Sequence, residues 1–193
     1  LVAGSLGAIG NNHEGIAGVA WNARLLPLKI GRIRDGAVEL SEDAILDAYE
    51  YVRTSGAQII NASYGGPSFS QIEFDAIEDL EQAGVLFVTS AGNFNSNLDY
   101  SVAAYPANYD VPNVVAVAAS NRQDNVASFS QFGPLSTDVA APGLQIVTTA
   151  VGGGYVTGVA ARTEPRPPAA APPVRLHVNT GPEYQERLCL PFR

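Results

Sequence analysis

Apolar positions along the chain follow two alternating rhythms. After the apolar run at residues 23–30 (ARLLPLKI) and a Gly-containing turn, Ile45, Ala48, Tyr49 and Val52 recur at helical spacing. Ser41 stands in front of them as an N-cap, Glu42 and Asp43 give the first turn the sign the helix dipole prefers, and Gly56 supplies a left-handed stop. Residues 57–62 (AQIINA) then read as a strand leading into the loop Ser63-Tyr64-Gly65-Gly66-Pro67. The cycle repeats. Ser70 and Glu73 are placed as a capping box, Ile72, Ala76, Ile77, Leu80 and Ala83 form the expected buried stripe, and Gly84 ends the helix. The acidic Glu73, Asp75, Glu78, Asp79 and Glu81 fit its wet face. Residues 85–88 (VLFV) are apolar at every position, as a strand covered on both faces requires; residues 114–119 (VVAVAA) repeat this, and 145–149 are read as a fourth strand.

Strands alternating with crossover helices predict an α/β domain of three layers, with a central parallel sheet and helices on both faces. Ligands in such sheets sit beyond the carboxyl ends of the strands. That singles out residues 63–67, after the first strand, and Ser90-Ala91-Gly92-Asn93, after the second. Glycines there let a backbone approach another chain closely, and Asn93 offers a neutral amide donor to developing negative charge. On spacing alone, these loops are equally consistent with simple tight turns.

Composition narrows the function. A net charge of −8, with Lys29 the only lysine, excludes a nucleic-acid partner, which needs a clustered basic surface. No apolar run approaches the roughly 18 residues that cross a bilayer. One cysteine, Cys189, cannot form an internal disulfide. Gly4-x-x-Gly7-x-x-Gly10 and Gly152-Gly153-Gly154 match neither nucleotide-binding glycine pattern, and His13 and His177, the two histidines, do not build a metal site. Asn61-Ala62-Ser63 has the form of a glycosylation sequon but begins inside a strand, where a strand-end Asn hydrogen-bonded to backbone is expected. Charge and proline divide the chain after Gly158. Residues 1–158 hold 6 Lys/Arg against 16 Asp/Glu, whereas 159–193 hold 5 against 3 together with 7 of the 13 prolines. The expected organisation is one domain over 1–158 and a Pro/Arg/Ala-rich tail over 159–193.

Five ordered segments carry a family resemblance: residues 1–20 (LVAGSLGAIGNNHEGIAGVA), 60–67 (INASYGGP), 89–93 (TSAGN), 127–134 (ASFSQFGP) and 139–143 (VAAPG). Their order and spacing resemble those of the subtilisin-like serine proteases, over about residues 1–158. The resemblance implies the subtilisin fold and peptide-bond hydrolysis by acyl transfer. It gives Asn93 the role of the oxyanion-hole donor. Ser63, Tyr64, Gly65 and Gly66 become the strand that pairs with an extended substrate, and Ala91 and Gly92 the opposite wall of the pocket. It implies no cofactor for the chemistry; a structural calcium is expected at most at the turn of residues 10–14, since many relatives bind one there. It further implies a polypeptide substrate and a secreted protein.

The family's chemistry uses a Ser-His-Asp triad, and the resemblance places none of the three within this sequence. The catalytic His would fall three positions before Leu1, and Arg162 stands near the place of the nucleophile. A change of reading frame after codon 158 is the expected origin of the Arg-, Pro- and Ala-rich tail. The chain alone is expected to be inactive and to fold poorly. The alternative is a non-catalytic relative that retains the groove to bind extended peptides.

Overall fold

The computed structural model describes residues 2–35, 37–150, 152–158 and 190–191. Near the start lies a short helix, α1 (Val2–Gly7), followed by an antiparallel hairpin of β1 (Gly31–Arg34) and β2 (Ala37–Leu40). Next comes α2 (Glu42–Ser55), capped as its sequence predicts: the Ser41 hydroxyl accepts the Ala44 N–H at 3.4 Å and Gly56 turns left-handed at φ +78°. It buries Ile45, Tyr49 and Val52. β3 (Ile59–Ala62), α3 (Gln71–Gln82) and β4 (Leu86–Ser90) form a βαβ unit, to which β5 (Val114–Ser120) and β6 (Val139–Pro142) add in parallel, giving the order β3-β4-β5-β6. β7 (Ile146–Thr149) and β8 (Tyr155–Gly158) make a separate antiparallel ribbon. The short β9 (Leu190–Pro191) lies antiparallel along β6.

Alternation along β4 builds the two sides of the core. Phe87, fully buried, points toward α2 and α3, where it meets Tyr49 edge-on at 5.5 Å between ring centroids and joins Ile77 and Leu80. Val88 points the other way and packs with Val117, Ala141 and Leu6 of α1. Helices therefore cover both faces, as the apolar β4 and β5 runs demand. Burying a side chain such as Phe87 stabilises by roughly 1.5–3 kcal/mol.

The structure corrects the sequence reading at several places. The apolar run at residues 23–30, for which the sequence predicts no element, has no regular structure, and its Leu28 and Ile30 lie partly buried against the α2 core. The strand predicted at 145–149 exists, but it pairs with β8, and the fourth parallel strand is β6. Short apolar runs specify extension and burial, not a partner. No helix follows β4 or β5; long loops over residues 91–113 and 121–138 make those connections. The stripe of α3 is rotated: Ile72 is 63% exposed and Ala83 is exposed, while Glu73 is buried with Ile77 and Leu80. Only half of the capping box forms, because Ser70 Oγ accepts the Glu73 N–H at 3.3 Å while the Ser70 N–H goes to the Tyr109 hydroxyl. The glycines that suggested nucleotide binding serve packing and turning. A Cβ on Gly4 would lie 2.3 Å from Thr149 Oγ1, and Gly152, Gly153 and Gly154 make the positive-φ turn between β7 and β8. Asn61 donates not to backbone, as expected, but to the Ser63 hydroxyl at 2.8 Å, because that side chain two residues on reaches it first. Apart from β9, the tail expected at 159–193, with the change of reading frame expected there, lies outside the described residues, as does His177.

Candidate active site

Parallel pairing of β3 with β4 places Ala62 opposite Thr89, so the loops that leave these strands emerge side by side. Between them lies a cavity of about 460 Å³. Residues 63–67 form one wall; Ser90, Gly92 and Asn93 form the other, with Phe94, Val102 and Gln131 at the rim. No charged side chain lines it, the kind of site in which a few polar groups orient a mainly apolar ligand. The structure thus brings together Asn93, Ser63, Tyr64, Gly65, Gly66 and Gly92. Ala91 is not in the lining. It lies beneath, fully buried with Leu98 and Ala118, and its N–H donates to Val117 O at 2.9 Å, which fixes where the loop leaves the sheet.

Backbone bonds set the shape of both walls. Gly66 and Tyr105 exchange two hydrogen bonds at 2.8 and 2.9 Å, closing the first wall onto the long 91–113 loop. Gly92 sits at φ +107° and accepts the Gln131 N–H at 2.9 Å. A Cβ there would stand 2.0 Å from Gln131 Oε1, so both sterics and backbone angle demand glycine. Gln131, in a motif the sequence displayed without assigning it a role, ties the loop from below by also donating to Ser96 Oγ at 3.1 Å. Phe94 and Val102, 72% and 68% exposed, carry no sequence signal beyond their apolarity. The Asn93 carboxamide makes no hydrogen bond among the described residues, and its Oδ1 is buried without a partner. Native proteins rarely leave such a group idle.

The same loops show what the site does not assemble. His13, the one histidine among the described residues, lies in an exposed turn and does not line the cavity. That turn, residues 10–14, holds itself with Asn12 Oδ1 accepting the Glu14 N–H at 3.1 Å. Calcium takes roughly six to eight oxygens, and no group of three or more His, Cys, Asp or Glu side chains gathers there or elsewhere among the described residues.

Comparison with known proteins agrees with this geometry. The subtilase family pattern matches residues 1–165. A thermophilic serine proteinase of Bacillus sp. (strain AK1) is 39% identical over 154 residues, and subtilisin DY of Bacillus licheniformis 34% over 148. These alignments cover 80% and 77% of this chain but 36% and 52% of the relatives, so the chain spans between about a third and about half of their length. Among solved structures, a protease from Pseudoalteromonas arctica PAMC 21717 superposes with a TM-score of 0.69 at 30% identity, covering 82% of this chain and 52% of its own. A mutant of the protease domain of PatA gives 0.68 at 25% identity, with 81% and 55% covered. With its parallel sheet, paired strand-end loops and matching sequence, the chain belongs to the subtilase family.

Proposed function

We propose that this chain supplies the substrate cleft and one arm of the oxyanion hole of a secreted serine endopeptidase. The unpartnered Asn93 carboxamide at the mouth of an uncharged cavity carries the reading. An extended peptide lies between the two loops, its backbone pairing with residues 63–65 as an added strand. The side chain before the scissile bond enters the cavity, whose small and apolar lining favours an apolar or aromatic residue. As the carbonyl becomes tetrahedral, the Asn93 Nδ2–H donates to its oxygen. Such a donor is free for the developing charge, because no hydrogen bond among the described residues engages the Asn93 side chain. Nucleophile and base, which activate each other in acyl transfer, come from outside the described residues.

The test is hydrolysis of a peptide p-nitroanilide by the purified protein, with Asn93→Ala alongside. This chain alone is expected to give no turnover, whereas the protein that also carries the nucleophile and base is expected to give turnover blocked by a serine-directed sulfonyl fluoride. Asn93→Ala is expected to lower kcat by roughly the 10²–10³ that subtilisin, the reference case for this effect, loses with its own oxyanion asparagine, and to leave KM little changed. A second reading, a relative that binds peptides without cleaving them, is favoured by the lack of a histidine at the cavity among the described residues. Peptide binding with no turnover and no labelling by the sulfonyl fluoride selects it.

A further inference from the structure

Glu73 is the only Asp, Glu, Lys, Arg or His side chain buried among the described residues, at 9% exposure, and no Lys or Arg there pairs with it. Its partners are three tyrosine hydroxyls. Tyr49 of α2 and Tyr64 of the loop after β3 reach Oε1 at 3.1 and 2.9 Å, and Tyr109 of the 91–113 loop reaches Oε2 at 2.9 Å. The Tyr49 and Tyr64 hydroxyls also touch each other, so their two protons are shared along a short chain ending on Oε1. Both carboxylate oxygens thus accept from hydroxyls, and the Tyr109 hydroxyl also lies 3.1 Å from the Ser70 carbonyl. Burial pushes all three tyrosines above their ordinary range, which keeps them as donors.

A carboxylate is a costly way to fasten a helix to a sheet. An apolar side chain at position 73 would fill the space without desolvating a charge. What it gains here is direction. Tyr64 lies in the cavity wall, while Tyr109 stacks on Tyr105 at 4.8 Å between centroids, and the Tyr105 backbone pairs with Gly66 of that wall. Tyr109 also accepts the Ser70 N–H, anchoring the start of α3. Four elements thus meet on one side chain.

We propose that Glu73 is a positioning residue for peptide binding: through Tyr64 it holds residues 63–66 in the extended form that pairs with substrate. The proposal rests on the reading of that loop as one wall of the peptide groove.

Two readouts on the purified full chain separate the alternatives: amide hydrogen exchange of Tyr64, Gly65 and Gly66 without ligand, and the Kd of a fluorescein-labelled tetrapeptide amide ending in Phe. Tyr64→Phe keeps the ring and removes the tether. It is expected to weaken the peptide about tenfold and to speed exchange of those amides, with α3 amides unchanged. Glu73→Gln is expected to act in the same direction, and the double variant to lose no more than the larger single effect. Tyr109→Phe, at a more buried position, lowers thermal stability but leaves Kd within about twofold, an effect that a merely structural network would not produce. Additive losses in the double variant, or equal affinity losses for Tyr64→Phe and Tyr109→Phe, overturn the proposal. So does peptide binding that Tyr64→Phe leaves unchanged, with the groove reading intact. If the parent binds no peptide, the groove reading itself falls, and the proposal with it.

Discussion

Gly92 and Asn93 stand next to each other and depend on the chain for different things. Gly92 is a matter of space: at φ +107°, with Gln131 Oε1 2.0 Å from where a Cβ would sit, alanine has to displace Gln131 and strain its own backbone. Gly92→Ala is expected to cost about 1–3 kcal/mol in urea unfolding. Adding Gln131→Ala should recover the steric part and leave the backbone part. Tyr49 and Tyr64 make a prediction about pH. Burial first lifts both above the ordinary 10.0; for Tyr49 the Tyr64 hydroxyl and then the Glu73 charge add to it, while for Tyr64 the Glu73 charge adds and the Tyr49 hydrogen bond works against it. Above about pH 10 the unfolded chain releases these protons while the folded chain keeps them, so the folded state binds more protons and stability falls as pH rises. Each tyrosine contributes a slope of about 1.4 kcal/mol per pH unit there. Urea midpoints between pH 9 and 11 should therefore fall less steeply for Tyr64→Phe than for the parent; equal slopes would contradict the shift. Glu73 is the residue that sequence pattern misplaces. Its spacing and charge read as a cap on a wet face, and only the three hydroxyls from distant positions explain why it turns inward.

The two longer helices show where local information suffices. Ser41 and Gly56 bracket α2 as punctuation, and the structure uses both in that way. Ser41→Ala is expected to cost about 1 kcal/mol. Gly56→Ala should cost a similar amount, about 1 kcal/mol, from its left-handed angle alone, since nothing lies within 4 Å of the added Cβ. Thermal melts of both variants check this, and a loss of several kcal/mol at Gly56 would reveal a contact the fold does not show. The C-terminal signal of α3 is realised as well: Gly84 turns left-handed at φ +73° and the Val85 N–H returns to Leu80 O at 2.9 Å. Its stripe is not, because Ile72 and Glu73 are adjacent and tertiary partners choose between them. Strands are legible as extended apolar runs, but pairing is not. Residues 145–149 could join any edge that offered unpaired backbone, and the one they join belongs to β8.

At the scale of the molecule, many apolar side chains are left uncovered, several of them between residues 21 and 38. Leu25 and Leu26, 44% and 45% exposed, lead into the hairpin, where Ile33 and Val38 reach 79% and 73%; Trp21 is 48% exposed. Surface of this kind marks either an interface or an aggregation liability. The purified chain is expected to bind 8-anilinonaphthalene-1-sulfonate at neutral pH and to unfold over a broad thermal range; a sharp, cooperative melt without dye binding would mean that these side chains are covered. The sequence by itself determined the helix ends, the buried strands, the family and the two loops worth inspecting, because caps, periodicity and glycine requirements act between residues a few positions apart. The tertiary structure decided the rest: that β6 is the fourth parallel strand, that the two loops enclose one cavity, that Ala91 lies under it, and that Glu73 ties Tyr64 to Tyr109. These depend on contacts between residues far apart in the chain, whose energies appear only when the sheet has assembled and the distant groups compete for the same space and the same protons.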